Sequence, residues 1–207
     1  MTAAAPFGFS RVVFLSHVLS ASTPVFPGDP PVTIHPAATI ERDGFYLQQV
    51  ASGEQAGTHW AAPVHFSPGQ AAADQLSPAD FFHPAAVLDV RASAAQDPDF
   101  AVSVPDIRRW ETAFGPVPRH AAVLLHTGYD DRWDDPPAYL GTDTMGVDPG
   151  ADATFGTNRL LLHGHRMHLE NLCGLGQMPA TGGWIIVGGA RIKDGSGSPA
   201  TVFGLIP

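Results

Sequence analysis

Histidine and glutamate side chains in two short stretches of this chain could carry acid–base or metal chemistry. His59 and His65 lie six residues apart. Three further histidines precede Glu170: His163, His165 and His168. An imidazole exchanges a proton near neutral pH, and a catalytic zinc ion usually has three protein ligands of the histidine, cysteine or carboxylate type. Because leucines flank Glu170, we expect apolar surroundings to raise the pKa of its carboxyl group, which would make it a general acid or base.

The segment around His59 also carries a motif. Residues 57–65 read Gly-Thr-His-Trp-Ala-Ala-Pro-Val-His, and Leu-Ser-His stands at 15–17. Further matching segments follow in chain order: a Pro-Val-Phe-Pro-Gly-Asp turn at 24–29, Gly-Thr-Asp at 141–143, Glu-Asn-Leu at 170–172 and small-residue segments at 179–182 and 195–200. On these residues the chain resembles the cyclase superfamily of kynurenine formamidase-like and isatin hydrolase-like enzymes, whose core motif reads Gly-Thr-His-x-Asp-Ala-Pro-x-His.

The resemblance implies a metal site that this chain has altered. The family's metal ligands fall on positions 55, 59, 61, 158 and 170, and its proton donor and acceptor falls on His65. The residues at the five ligand positions are Gln55, His59, Ala61, Asn158 and Glu170. Amides are poor replacements for imidazole on zinc, and an alanine in place of aspartate removes the bridging carboxylate. We therefore expect the binuclear metal site to be lost.

The preferred hypothesis is an enzyme without a metal cofactor. It would be a cyclase, isomerase or lyase acting on a small, largely apolar metabolite, such as a polyketide-like compound of secondary metabolism. His65 would move the proton, with His59 and Glu170 completing the catalytic group. Five residues are assigned to substrate binding: Gln55, Phe26, Trp60, Asn158 and His165.

Two alternatives remain open. In the first, His59, Glu170 and one further histidine rebuild a mononuclear site for one zinc or manganese ion, and the chain hydrolyses a cyclic amide, formamide or lactone. On a helix, His165 and His168 would share a face, but we expect His163 and especially His168 to be surface or interface residues. In the second alternative, the chain is a ligand-binding homologue without catalytic activity.

Composition predicts one domain over residues 1–207. The formal net charge is −9 and Lys193 is the single lysine, which argues against nucleic acid and anionic membranes as partners. Lone Cys173 allows no internal disulfide, and with no apolar run of membrane-spanning length we expect a cytoplasmic protein. The resemblance implies a homodimer or homotetramer.

Patterning predicts more strands than helices. Stretches of apolar and β-branched residues predict strands at 11–19, 32–40, 45–51, 86–90, 121–126, 184–187 and 201–203. Helices are predicted at 105–111, capped by Ser103, and at 157–168, where Gly164 weakens the pattern. The resemblance implies an α/β fold: one swivelling β/β/α domain with a curled mixed sheet. Between Leu140 and Gly141 a family strand–helix unit of roughly two dozen residues is missing, longer than ordinary loop variation.

Overall fold

The structure, a computed structural model, describes residues 8–97, 99–133, 143–149 and 152–207. The strands in these ranges are β1 Arg11–Phe14, β2 Thr33–Ala38, β3 Leu47–Ala51, β4 His59–Ala61, β5 Phe82–Asp89, β6 Ala122–His126, β7 His168–Glu170, β8 Trp184–Val187, β9 Gly197–Pro199 and β10 Val202–Ile206. The helices are α1 Ile40–Asp43, α2 Arg91–Ala94, α3 Val104–Phe114 and α4 Gly156–Leu162. The fold is therefore mixed α/β with few helices, as predicted.

A five-stranded mixed sheet forms the centre of the molecule, in the order β1-β10-β8-β5-β6. Only the β5–β6 pair is parallel among these strands. Alternate residues of each strand point to one face, and the inward ones, among them Ala85, Val87, Ile185 and Val202, form the main core together with Leu15, which follows β1. The apolar segments predicted to be buried strands at 86–90 and 121–126 are confirmed as parts of β5 and β6.

Helix α3 covers part of the opposite face of this sheet. Ser103 is the N-cap of this helix. Its backbone N–H donates to the Asp106 carboxylate at 2.8 Å, which is one half of a capping box at the N-terminus of α3. Trp110 packs with Ala86 and Leu88, and its indole N–H donates to the Val87 carbonyl at 2.9 Å. The helix predicted at 105–111 is confirmed and extends a turn further.

A small three-stranded sheet, in the order β7-β4-β9, forms a separate hydrogen-bonded ladder, packs on the main core through Trp60, and carries the histidine motif. The prediction of a helix through 157–168 is wrong at its C-terminal end. Helix α4 ends at Leu162, a bend follows in which the Arg166 N–H donates to the Gly164 carbonyl at 2.7 Å, and His168 begins β7. Gly164 marks this break, because glycine disfavours a helix interior.

The remaining strands, β2 and β3, form a separate antiparallel hairpin. The missing strand–helix unit predicted at Leu140–Gly141 lies outside the described residues. In the part of the chain that is described, no helix has the length and apolarity needed to span a bilayer.

Candidate metal centre

Strand pairing brings the histidine motif and the Glu-Asn-Leu segment together. Strands β4 and β7 pair antiparallel, with His59 opposite Glu170 and Ala61 opposite His168. Side chains directly opposite each other in an antiparallel pair lie on the same face, about 4.5–5.5 Å apart at Cβ. His59, Glu170 and His168 therefore share one face with Ala61, the position at which the family has aspartate.

The three polar side chains form a buried cluster. Each offers one ligand atom, and these atoms all lie within 4.8 Å of one another. The His59 Nε2 is 3.3 Å from the Glu170 Oε2, and the His168 Nδ1 is 3.6 Å from the Glu170 Oε1. Two imidazoles and one carboxylate are a ligand set that catalytic zinc sites use, so the cluster has the composition of a mononuclear metal site.

Hydrogen bonding orients the His59 ring for coordination. Its Nδ1–H donates to the Gly57 carbonyl at 2.9 Å, which leaves the Nε2 facing Glu170. Metal-binding histidines characteristically donate their other ring N–H to such a group. The buried Nε2 has no hydrogen-bond partner among the described residues. A lone pair on this nitrogen and a carboxylate oxygen repel each other at 3.3 Å unless a proton or a metal ion lies between them.

His168 is buried and neutral. Burial lowers the pKa of its imidazole to about 4, and the opposing attraction of Glu170 does not offset this. Neither ring nitrogen has a hydrogen-bond partner within the described part of the chain. A buried polar atom without a partner costs about 1–3 kcal/mol, and an ion or water is the usual explanation for such an atom. Coordination would satisfy one of the two nitrogens, so the residues present fit a metal ion.

Glu170 departs from the sequence prediction. Burial favours its neutral form, but the nearby His168 and His59 outweigh burial and lower the pKa of the carboxyl group to about 2. The prediction of a raised pKa is therefore wrong, because the surroundings of Glu170 are imidazoles rather than leucines. Glu170 is a carboxylate at neutral pH and suits a metal ligand better than a general acid.

His65 lies beside the cluster. It ends a short 3₁₀ turn, Pro63–His65, and its ring centroid is 6.3 Å from that of His168. Partial burial lowers the pKa of its imidazole, while Glu170 acts in the opposite direction. A neutral imidazole can accept a proton, so His65 keeps the acid–base capacity predicted from the sequence.

The two amides at former ligand positions differ in what they contact. The Gln55 Nε2 donates to the Ser196 hydroxyl at 3.1 Å, which ties Gln55 to the loop before β9. Asn158 is buried, and its Nδ2 donates to the Asp148 Oδ2 at 2.7 Å. Its Oδ1 has no partner in the described structure. Asn158 thus presents an available acceptor, whereas the Gln55 amide is engaged by its neighbour.

The structure places three of the residues singled out in the sequence away from the surroundings expected for them. Trp60 alternates with His59 along β4, and its side chain is fully buried in the core against Phe81, so its predicted contact with substrate stays a prediction. The ring of His165 is exposed, with its Nε2 3.0 Å from the Asp80 Oδ2, and its predicted contact with substrate also stays a prediction. His168, expected at the surface or in an interface, is a member of the buried cluster.

Phe26 stays a prediction as a pocket residue. Its ring is partly exposed in the turn closed by the Asp29 N–H donating to the Phe26 carbonyl at 2.9 Å. The Asp29 charge acts to raise the pKa of the His65 imidazole against the larger effect of burial, so this turn lies within electrostatic range of His65.

A second group of potential ligands was not predicted from the sequence. His126, Asp130 and Asp143 meet at the end of β6. Asp143 already accepts from the Thr127 and Gly128 backbone N–H groups, each at 2.9 Å, and Asp130 accepts from the Gly174 N–H at 2.7 Å. These bonds fasten the loop after β6, which accounts for both carboxylates.

Comparison with known proteins identifies the family. Residues 13–166 match the family described as "Putative cyclase". The chain belongs to this family. Isatin hydrolase of Roseibium aggregatum is 27% identical over 245 aligned positions, covering 97% of this chain and 93% of the relative. Kynurenine formamidase of Sphingopyxis alaskensis is 27% identical, covering 79% of this chain and 83% of the relative.

Solved structures agree with the sequence comparison. The crystal structure of an isatin hydrolase bound to the product analogue thioisatinate superposes with a TM-score of 0.88 at 26% identity, covering 95% of this chain and 92% of that chain. Isatin hydrolase A from Ralstonia solanacearum gives a TM-score of 0.86. The cyclase-family member described here is therefore similar to hydrolases over nearly its whole length.

Proposed function

We propose that this cyclase-family member is a hydrolase that uses one divalent metal ion held by His59, His168 and Glu170. The observation that carries the proposal is the position of His168 directly opposite Ala61. The chain lacks the family's aspartate on β4 and has a histidine at the facing position of β7. A ligand has moved across the strand pair, and a set of three protein ligands is kept.

Individual residues around the cluster have separate tasks in the proposed hydrolysis. A divalent ion at this site would supply Lewis-acid polarisation of a carbonyl and of water. The Gly57 carbonyl keeps His59 in the tautomer that turns its Nε2 to the cluster. His65 takes the proton from the attacking water and delivers it to the leaving nitrogen as the C–N bond breaks. The products are a carboxylate and an amine.

A cyclic amide fused to an aromatic ring is the proposed substrate class. The isatin hydrolases match this chain over more of its length than the kynurenine formamidases do, and isatin is a cyclic amide. The unpartnered Asn158 Oδ1 can accept the N–H of such an amide. Ala61 stands where the family has aspartate, on the face of β4 and β7 that carries His59 and Glu170. The smaller side chain leaves room beside the cluster for such a substrate.

The metal-free cyclase, isomerase or lyase remains the second candidate. It is favoured by the direct approach of His59 and Glu170, since a proton on the His59 Nε2 would complete an ion pair at 3.3 Å without any metal. Under that mechanism His65→Ala abolishes turnover, while a chelator leaves it unchanged. The hydrolase ranks first because a metal ion would engage one ring nitrogen of His168 as well as the His59 Nε2, whereas a proton on the His59 Nε2 leaves both ring nitrogens of His168 without a partner.

Hydrolysis of isatin and a panel of cyclic amides, formamides and lactones tests the proposal. Activity should disappear after chelation and return with zinc or manganese. His168→Leu should lower kcat/KM by about 100-fold or more at any metal concentration, because two ligands do not hold a catalytic ion.

The matched control is His165→Leu, which removes an exposed histidine three residues away and should stay within about twofold of the unmodified enzyme. Turnover that persists unchanged in a chelator, or equal losses in the two variants, would refute the metal-dependent mechanism.

A further inference from the structure

A buried carboxylate, that of Asp148, holds the side chain of Asn158 in one orientation. Asp148 is 7% exposed and Asn158 is 6% exposed. The Asp148 Oδ1 accepts the Thr157 backbone N–H, and its Oδ2 accepts the Asn158 backbone N–H at 3.1 Å and the Asn158 Nδ2–H at 2.7 Å. An ionised carboxylate accepts hydrogen bonds and has no proton to donate. Asp148 therefore contacts the nitrogen of the Asn158 amide.

This contact decides which atom of the Asn158 amide is left for a ligand. A flipped amide would place its carbonyl oxygen 2.7 Å from the Asp148 Oδ2, where two acceptors repel each other. The Asn158 Oδ1 consequently points away from Asp148. It is buried and has no hydrogen-bond partner among the residues that the structure describes. Because the backbone N–H groups of Thr157 and Asn158 already bind Asp148, a ligand meets an acceptor here and no donor.

The Asn158 side chain lies close to the residues of the proposed hydrolysis. The charge of the carboxylate that holds it acts to raise the pKa of the His168 imidazole, against the larger effect of burial, so the pair is within electrostatic range of the cluster. Helix α4, which carries Asn158, packs against the 3₁₀ turn Pro63–His65. The rings of Phe155 and Phe66 meet at this contact, with centroids 5.4 Å apart. The free oxygen thus belongs to the surroundings of the site.

We infer that Asp148 is a positioning residue that makes the site selective for substrates with an N–H group, which favours unsubstituted cyclic amides over lactones and N-alkylated amides. The inference rests on the proposed function for its substrate class. A ligand N–H pairs with the Asn158 Oδ1. A lactone oxygen or an N-methyl group displaces water and leaves this buried acceptor unpaired, which costs binding free energy. Sites that hydrogen-bond a ligand N–H reject analogues without one far more strongly than apolar pockets do.

Binding of isatin and N-methylisatin to the full-length, chelator-treated protein tests the inference without turnover. By calorimetry, the unmodified protein should bind isatin at least about tenfold more tightly than N-methylisatin. In Asn158→Leu the two affinities should lie within about threefold of each other, because leucine removes the acceptor and keeps a similar volume. Equal affinities in the unmodified protein, or binding of neither compound, would overturn the inference. A preference that persists in Asn158→Leu would also overturn it, since steric exclusion of the methyl group would then be the cause.

Asp148→Asn tests the positioning role. An amide at position 148 donates as well as accepts, so it tolerates both orientations of Asn158, and the preference for isatin should fall by about threefold or more. Equal weakening of both compounds would mean that Asp148 is only structural, and would overturn the inference. The matched control is Asp152→Asn, whose carboxylate accepts instead from the Thr154 backbone N–H at 2.8 Å, and it should keep the unmodified preference. The results for the unmodified protein and Asn158→Leu do not depend on the folding of Asp148→Asn.

Metal content and kinetics separate this inference from the proposed function. After loading with zinc, Asn158→Leu should hold as much metal as the unmodified protein; a loss of zinc would make the Oδ1 a metal ligand and overturn the inference. With the metal-loaded protein, the preference for isatin should appear again in kcat/KM. A protein that binds isatin with this preference and hydrolyses no cyclic amide would refute the proposed function and support the selectivity of the site.

Discussion

A single pair of facing positions explains how this chain could keep a metal site after losing family ligands. Ala61 removes a carboxylate from β4, and His168 adds an imidazole from β7 at the position opposite. The Cβ atoms of such a pair are close enough for either side chain to reach the same ion. Under the proposed metal-dependent function, positions 61 and 168 are alternative sources of one ligand, so the residues at the two positions are interpreted together.

Restoring the family's ligand tests this coupling. His168→Leu should lose bound metal, whereas the double variant Ala61→Asp/His168→Leu should recover zinc or manganese binding to within about tenfold of the unmodified chain, because the third ligand returns from the other strand. Isothermal titration calorimetry measures both.

Ala61→Asp alone is the control, because it adds a carboxylate beside Glu170 and keeps His168. It should lower the free energy of unfolding of the metal-free, chelator-treated protein more than that of the metal-loaded protein. A double variant that binds no more metal than His168→Leu would contradict the idea that the two positions are equivalent.

Sequence patterns indicated three residues of the site but did not indicate the fourth. His59, His65 and Glu170 were found because they match motif positions of the family. His168 was missed because its role depends on which residue faces it across β4, and a helix through 157–168 hides that pairing. The burial of Trp60 was not predicted either, because β4 has no local pattern that indicates a strand; in a strand, Trp60 points away from its neighbours His59 and Ala61.

At the scale of elements, the entry into β4 depends on a glycine. Gly57 has a φ of 63°, and an added Cβ would lie 3.2 Å from the Leu19 Cδ1 and 3.3 Å from the Thr23 Cγ2. Its carbonyl accepts from the His59 Nδ1 and from the Asn171 Nδ2 at 3.0 Å. The backbone conformation of Gly57 therefore fixes both the fold of this turn and the tautomer of His59.

Gly57→Ala should lower the free energy of unfolding by about 1–3 kcal/mol, because a left-handed backbone strains a residue with a Cβ, and it should also weaken metal binding. Thermal unfolding with and without metal measures both effects. Gly164→Ala is the control, since nothing lies within 4 Å of its added Cβ. Equal stability of the two variants would argue against a role for the Gly57 turn.

The elements themselves were largely predictable. Apolar strands such as β5 and β6 and the capped helix α3 follow from local patterns that their surroundings reinforce. The short strands β4, β7 and β9 have three residues each and no local pattern that distinguishes them from loops. Such strands form because residues distant in sequence pair with them, and the site is built on these strands.

At the scale of the whole molecule, the buried cluster makes stability depend on pH. His168 is held neutral down to a pKa of about 4, whereas in the unfolded chain a histidine titrates near 6.5. Between these values the unfolded state binds a proton that the folded state does not. The free energy of unfolding should therefore fall as pH drops from 6.5 to 4.

The free energy of unfolding of the metal-free, chelator-treated protein, measured with denaturant at several pH values, tests this dependence. The slope from His168 should approach about 1.4 kcal/mol per pH unit within that range. His168→Leu should show a shallower slope, with the contribution of His65 retained in both proteins. Parallel curves for the two proteins between pH 4.5 and 6.5 would show that His168 is not buried in its neutral form.

The proposed function requires that His59, His168 and Glu170 hold one metal ion. The most direct measurement is metal content of the protein purified without a metal-binding tag, followed by anomalous diffraction to locate the ion. We expect about one equivalent of zinc or manganese, with the anomalous peak among these three side chains. Less than about a tenth of an equivalent after adding zinc and manganese, or a peak at His126 instead, would contradict it.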